Sequence, residues 1–307
     1  RCRCRRRLIV ARGRDKAFCG LMSYLDHIKA CNNFDASAFR PFEIADVRAG
    51  WVRQDNVAHL AAFPEVFVIS EAAVALAPGL DDFDSRSTAI AGIVSALFAQ
   101  GVLPAPRDEL YPVALDRNDP PLMQIERTAC PFFGIRASGV HMNGFVRRDD
   151  ELYMWIARRA RDKGTYPGML DNMVAGGQPY GLGLKENMVK ECGEEAGIPP
   201  EIAQRVQPVG MILYDHQSDD GAKPDRQYCF DLEVPADFKP VAADGEVDEF
   251  MLWPIEQVAA KVRDTFAFKF NCNLVIIDFL IRHGILDPDS EPDYTDLCRG
   301  LYKGDAL

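Results

Sequence analysis

A run of glycines leads straight into an acidic helix, and nothing else in the chain restricts its fold so tightly. Gly176-Gly177-Gln178-Pro179-Tyr180-Gly181-Leu182-Gly183 precedes a helical segment from about Leu184 to Ala196, which stops at Gly197 with Pro199 and Pro200 beyond. Strand-like residues come before the glycines, so the order is strand, loop, helix. Glycine lets the backbone approach an anion closely, and the loop delivers that anion near the helix N-terminus. Within the helix Glu191, Glu194 and Glu195 stand at i, i+3 and i+4 and share one face. Three like charges there cost helix stability unless a cation neutralises them. Hard oxygen ligands on a rigid element suit Mg²⁺ or Mn²⁺, which keep waters and bind substrate phosphates. An exposed helix of an acidic protein can carry the same triplet. The glycine loop and the Lys190-Glu191-Cys192-Gly193-Glu194-Glu195-Ala196-Gly197-Ile198 ending favour a metal-assisted site for a phosphorylated substrate.

The 307 residues carry a formal charge of −11, with 48% hydrophobic and 26% charged residues. These values exclude collagen, coiled coil and wholesale disorder, and the length suits one large domain or two. No apolar run approaches the roughly 18–20 residues of a membrane span. Leu274 to Ile281 is short and interrupted by Asp278, which reads as a buried helix in a soluble protein. Eight of the 35 basic residues and one acid fall within residues 1–21, so the body beyond is more acidic than the whole and repels nucleic acid and anionic membrane. Met22-Ser23-Tyr24 opens the first patterned segment. Residues 1–21 are expected to be a disordered basic extension or to lie upstream of the true start. Nine scattered cysteines without a CxxC pair suggest reduced thiols and a cytoplasmic setting. Five equally scattered histidines argue against zinc.

Periodicity predicts a helix over Ser23 to Asn33, strands over Phe42 to Arg53 and Val66 to Ser70, and a helix from Asp84 to Gly101 capped by Asp84 or Ser85. A proline-rich stretch from Pro104 to Pro121 marks a boundary, giving an α/β N-terminal domain over 22–120 and a second domain over 121–307. The second domain reads as strands at Gly134 to Val146 and Glu151 to Arg159, and further strands at Val209 to Asp215, Gln227 to Val234 and Phe250 to Trp253. Helices follow at Ile255 to Arg263 and Asn273 to His283. A mixed sheet flanked by helices fits this order.

The segment from Gly176 resembles the Nudix box, G-x5-E-x7-R-E-U-x-E-E-x-G-U with U apolar. It matches at Glu191, Glu194, Glu195, Gly197 and Ile198, with Cys192 at the first apolar position; the early Glu is Leu182 here and the Arg is Lys190. In the family those two pair and brace the loop, and Glu186 with Lys190 at i, i+4 is the substitute pair expected here. Wider segments extend the resemblance, among them Gly139-Val140-His141, Met154-Trp155-Ile156-Ala157-Arg158-Arg159, Tyr166-Pro167-Gly168, Asp244-Gly245-Glu246-Val247 and Phe268-Lys269. They are similar to the Nudix branch related to the N-terminal half of fungal thiamine pyrophosphokinases, in which a small α/β domain precedes the Nudix domain. The resemblance implies a Nudix fold, with a mixed β-sheet sandwiched between helices. It also implies hydrolysis of thiamine diphosphate, or of its damaged oxo and oxy forms, to the monophosphate. The same mechanism on ADP-ribose or another nucleoside diphosphate derivative, and a non-catalytic Nudix-fold binding module, are the competing readings.

In this reading Glu191, Glu194 and Glu195 hold Mg²⁺ or Mn²⁺ and do the catalytic work with it. The general base comes from the box or from Glu246, which reads either as base or ligand or as a solvated turn acid. Arg158, Arg159 and Lys163 follow a strand leading to the loop and are candidates to grip phosphate, and Gly176 and Gly177 shape the turn that meets metal or phosphate. Trp155, Tyr166 and Trp253 are candidates to stack on a ring, against the alternative of core packing; His141 and His216 read as structural. The expected partner is a small-molecule diphosphate, and a homodimer is compatible with the sequence.

Overall fold

The computed structural model describes residues 22–243 and 245–304. Residues 1–21, and with them the expectation for the basic head, lie outside the described residues, as does Asp244.

The first body begins with helix α1 (Tyr24–Cys31), followed by the hairpin β1 (Phe39–Ile44) and β2 (Val47–Arg53). The single strand expected over Phe42 to Arg53 is therefore two strands. Ala45 and Asp46, both at positive φ, turn the chain between them, as a two-residue hairpin loop requires. Short helix α2 (Val57–Leu60) and strands β3 (Phe67–Ile69) and β4 (Val74–Leu76) complete a four-stranded sheet ordered β2-β1-β4-β3. Helix α3 (Phe83–Ala99) is capped by Asp82 rather than by Asp84 or Ser85: the Asp82 carboxylate accepts from the Ser85 N–H at 2.7 Å. Its Ile90, Ile93, Val94 and Leu97 stripe is buried. Strands β5 (Leu110–Val113) and β6 (Met123–Glu126) pair with each other across residue 120, and helix α4 (Cys130–Phe133) follows. One hydrophobic core runs from Phe42 to Ile135. The first body therefore extends beyond the expected division at 120/121: Pro112 lies in β5 and Pro120 and Pro121 in the β5–β6 connection, so this stretch builds a hairpin of the first core and is not a linker.

The second body is a seven-stranded mixed sheet. Its path runs β11 (Gln207–Ser218), β12 (Gly221–Glu233), β7 (Ser138–Arg148), β8 (Glu151–Arg159) and β13 (Val247–Pro254). Two short strands sit beside it: β9 (Leu170–Asp171) on β8 and β10 (Val174–Gly177) on β7. Alternation along the strands sorts side chains to two faces. Val140, Met142, Trp155, Phe230 and Leu232 pack against helix α5 (Leu184–Ala196) and, with Ala203, short helix α6 (Pro200–Ala203). Phe145, Met154, Ile156 and Cys229 pack against α7 (Ile255–Asp264), α8 (Cys272–Arg282) and α9 (Tyr294–Gly300) on the other face. The sheet is sandwiched between helices as expected, and Leu274 to Ile281 is the buried core helix α8.

Helix α1 belongs to this second core although it opens the chain. Tyr24, Ile28 and Cys31 are buried with α8 and α9. The Tyr24 hydroxyl donates to the Ala259 carbonyl at 3.0 Å, and His27 Nε2 lies 2.6 Å from the Val262 carbonyl. Phe39 and Trp51 of the first body pack on Ala222 of β12. The two bodies are thus clasped from both sides, and a cleft runs between them.

Candidate active site

Helix α5 has the extent its pattern predicts, ending at Gly197 with φ of 61°. Its apolar side, Met188, Cys192 and Ala196, lies on the sheet, which turns Glu191 and Glu195 toward the end of β10. Glu195 is 7% exposed, and its carboxylate accepts from the Ala175 N–H at 2.9 Å. Burial pushes its pKa up to about 8, with Asp171 and Glu191 adding to the rise. The Glu191 carboxyl is also raised, by burial first, against Lys190 and with help from Glu194 and Glu109. A Cβ on Gly176 would overlap the Glu191 carboxyl, so glycine is required where β10 meets the helix. Glu194 differs: its side chain is half exposed and bonded to Lys190 at 2.5 Å.

Lys190 reaches Glu194 and, at 3.5 Å, Glu191. The ion pair expected between Glu186 and Lys190 is replaced by this one. The loop is braced elsewhere: Gln178 Nε2 donates to the Leu182 carbonyl at 2.6 Å, and Asn187 Nδ2 to the Gly177 carbonyl at 2.7 Å. Side-chain amides do here what an ion pair does when the box has both its Glu and its Arg.

Glu246 comes to this site from the turn before β13. Lys163 is ion-paired with it, and the Ala160 N–H donates to the Glu246 carbonyl at 2.9 Å. Burial by itself would raise the Glu246 carboxyl; Lys163, Arg159 and Arg107 outweigh burial and hold it below the usual range. Lys163 also lowers Glu195, so one ammonium favours the ionised form of both carboxyls. Arg158 and Arg159 are placed differently from the phosphate-gripping expectation. Arg158 pairs with Glu249 at 2.6 Å. Arg159 is buried, pairs with Asp171 at 2.8 Å, and donates to the Thr165 and Tyr166 carbonyls. Successive residues of a strand face opposite ways, and here each guanidinium has partners within the chain.

Three residues of the first body reach the site, and no spacing in the sequence announces them. A Cβ on Gly177 would overlap the Tyr111 hydroxyl. Arg127 lies over the Tyr111 ring, 5.7 Å from its centroid, and pairs with Glu109 at 2.9 Å. Gly176 and Gly177, expected to shape a turn, are instead the last residues of β10, paired with Val140 and Gly139 of β7. Behind them lies a cavity of about 200 Å³, bordered by Tyr111, Tyr166, Tyr214, Asp225, Lys269 and Phe270 among others. Of the three aromatics considered for ring stacking, Tyr166 borders this cavity, while Trp155 and Trp253 pack in the two cores.

The donor set fits a hard divalent cation. Two carboxyls raised by burial and by neighbouring carboxyls lie at the glycine end of β10, and a cation there relieves both effects. Glu194 stands at the edge of this set. Among the described residues, the group of three that brings ligand atoms within 4.8 Å of one another is His141, Asp171 and Cys272, and not the three glutamates. Asp171 already accepts from Arg159 at 2.8 Å, from the Asn172 N–H at 2.9 Å and from Cys272 at 2.7 Å. That group is a hydrogen-bonded core under the site.

Comparison with known proteins agrees with the architecture. Residues 138–273 match the NUDIX domain, and residues 23–137 match a domain of unknown function, DUF4743. Arabidopsis thaliana "Nudix hydrolase 24, chloroplastic" is 42% identical over 290 residues, covering 93% of this chain and 79% of that protein. "Nudix hydrolase 20, chloroplastic" from the same plant is 41% identical over 297 residues, with the same coverage. Among solved structures, DR0079 from Deinococcus radiodurans superposes with a TM-score of 0.40 at 20% identity, covering 55% of this chain and 95% of that one. The chain belongs to the Nudix hydrolases, enzymes that act on diphosphate bonds. Among the described residues no helix is long and apolar enough to cross a membrane.

Proposed function

We propose that this Nudix hydrolase is a Mg²⁺-dependent diphosphatase that converts thiamine diphosphate, or its damaged oxo and oxy analogues, to the monophosphate and phosphate. The observation that carries the reading is the placement of Glu191 and Glu195 against the Ala175–Gly176 end of β10, beside a cavity too small for a large ligand. Drug-sized ligands take roughly 300–1,000 Å³, and about 200 Å³ lies behind that strand end. One organic group fits there. The resemblance of the wider sequence segments to the thiamine branch supports a thiamine-type group.

Glu191 and Glu195, with Glu194 at the edge, hold the cation, for which Mn²⁺ can substitute. When bound it neutralises the diphosphate and lowers the cost of placing a nucleophilic water against it. The chain's own groups do the rest. Lys163 and Arg127 supply positive charge on two sides of the cleft, while Glu246 and Glu109 hold those side chains in place. Glu246 is ionised at neutral pH and stands ready to accept a proton from the attacking water. Water attacks the terminal phosphorus, the bond from that phosphorus to the bridging oxygen breaks, and the monophosphate departs. The six described cysteines are free thiols, which supports a reducing compartment such as the cytoplasm; thiol state does not separate it from the chloroplast named for the plant relatives.

The test is phosphate release with Mg²⁺ from thiamine diphosphate, oxythiamine diphosphate and ADP-ribose, with Glu195→Gln alongside. The variant should lose turnover on the order of a hundredfold or more. Preference for ADP-ribose would replace the substrate and keep the chemistry. Tight binding without turnover, unaffected by Glu195→Gln, would make the protein a binding module.

A further inference from the structure

We propose that the cavity between the Tyr166–Phe270 wall and the Asp225 carboxylate is the subsite for the substrate's organic end, and that it takes a flat nitrogen heterocycle presenting an N–H edge to Asp225. The inference rests on the diphosphatase reading and adds the residues that select the substrate.

Position comes first. Gly176 and Gly177 border the cavity as well as the carboxylate site, so a ligand whose diphosphate lies on that end of β10 has its organic end directed inward. The wall is built for a planar group. The Tyr166 and Phe270 rings stand 5.5 Å apart at 35°. Tyr166 has a φ of 51°, a left-handed conformation that costs a non-glycine residue on the order of 1 kcal/mol or more. Buried Arg159 maintains it by donating to the Thr165 and Tyr166 carbonyls. Strain at a cavity mouth, maintained by a buried guanidinium, is a feature of a recognition loop.

The Asp225 side is polar and pre-oriented, and it adjoins the wall through Phe270, whose ring lies 5.6 Å from that of Tyr214. Gln227 Nε2 and Asn271 Nδ2 donate to the Tyr214 hydroxyl at 3.0 and 3.2 Å, which directs the hydroxyl proton to Asp225 at 3.3 Å. A carboxylate has about four acceptor sites; Tyr214 and the Ala137 backbone account for two. The remaining capacity suits ring or exocyclic N–H groups. Burial pushes the Asp225 carboxyl up to about 6, with Lys223 opposing, so an N–H donor at this edge recovers part of the cost of burying the charge. An isoprenoid or sugar end has no N–H to offer.

The experiment compares kcat/KM for thiamine diphosphate with that for isopentenyl diphosphate, which has no ring. It uses the full chain as wild type, Asp225→Asn and Tyr166→Leu. Calorimetric binding of thiamine monophosphate without metal is measured in parallel. The expected result is at least a tenfold fall in the ratio of the two specificities for either variant, carried by KM, with a matching loss of monophosphate affinity. An unchanged ratio, or parallel loss on both substrates, would overturn the subsite. Should Asp225→Asn fail to fold, Tyr166→Leu alone decides. If the wild type cleaves neither diphosphate, the diphosphatase reading fails separately. The subsite then stands on a tenfold weaker monophosphate affinity in the variants and falls if wild type and variants bind alike or not at all.

Discussion

Glu194 and Glu195 are neighbours with the same carboxyl group, yet one has a half-exposed side chain and the other is 7% exposed. One helical step of 100° separates solvent from the sheet, and burial pushes the Glu195 carboxyl up to about 8. Lys190 shows the same dependence on position. It pairs with Glu194 at i, i+4, a surface pair worth a few tenths of a kcal/mol. Beneath the site, His141 Nδ1 lies 2.9 Å from Asn172 Oδ1, and burial, with Lys269 nearby, pushes its pKa down to about 4. Between about pH 6.5 and 4 the unfolded chain takes up a proton that the folded chain refuses. Stability therefore falls as pH falls through that window, by on the order of 3 kcal/mol from this residue. The raised carboxyls of Glu195 and Asp225 act with the opposite sign in wild type and variant alike, so the His141 contribution is read as a difference. The change in urea midpoint from pH 7 to pH 4 should be less favourable in the wild type than in His141→Asn, and parallel slopes would remove His141 as the cause.

The element that matters most is the junction of β10 with α5. The helix forms where its pattern places it, because apolar spacing and Gly197 fix its face and its end. Its approach to β10 depends on Gly176 having no side chain. Gly176→Ala should leave the fold intact and displace Glu191, weakening Mg²⁺ affinity and kcat/KM by roughly 10–100-fold. Mg²⁺ titration of thermal stability measures the first effect, and an unchanged shift in Tm would show that Glu191 adapts. The turn from Thr165 to Gly168 is the second such element. Arg159, a phosphate-gripping candidate by sequence, is instead the brace of that turn through Asp171 and two carbonyls.

For the whole molecule, the first helix stabilises the last core. Ile28 is 5% exposed and sits among α8 and α9 residues. Ile28→Ala should destabilise the second body by about 2–5 kcal/mol, although it lies more than a hundred residues before the NUDIX match. Chemical denaturation followed by tryptophan emission would show it as an earlier midpoint. A change confined to the first body would count against the clasp. Sequence alone determined the glycine loop, the extent of α5, the carboxylate triplet on it and the mixed sheet beneath, since these depend on spacing within one continuous segment. Only the tertiary structure decided that the second half of the proline-rich stretch builds a hairpin of the first core and that Arg159 braces a loop. It alone brought Glu109, Tyr111 and Arg127 to the glycine end of β10 and Asp225 to the Tyr166 wall. These last meetings join residues tens of positions apart. No local period or spacing encodes such a meeting; packing of the two bodies creates it.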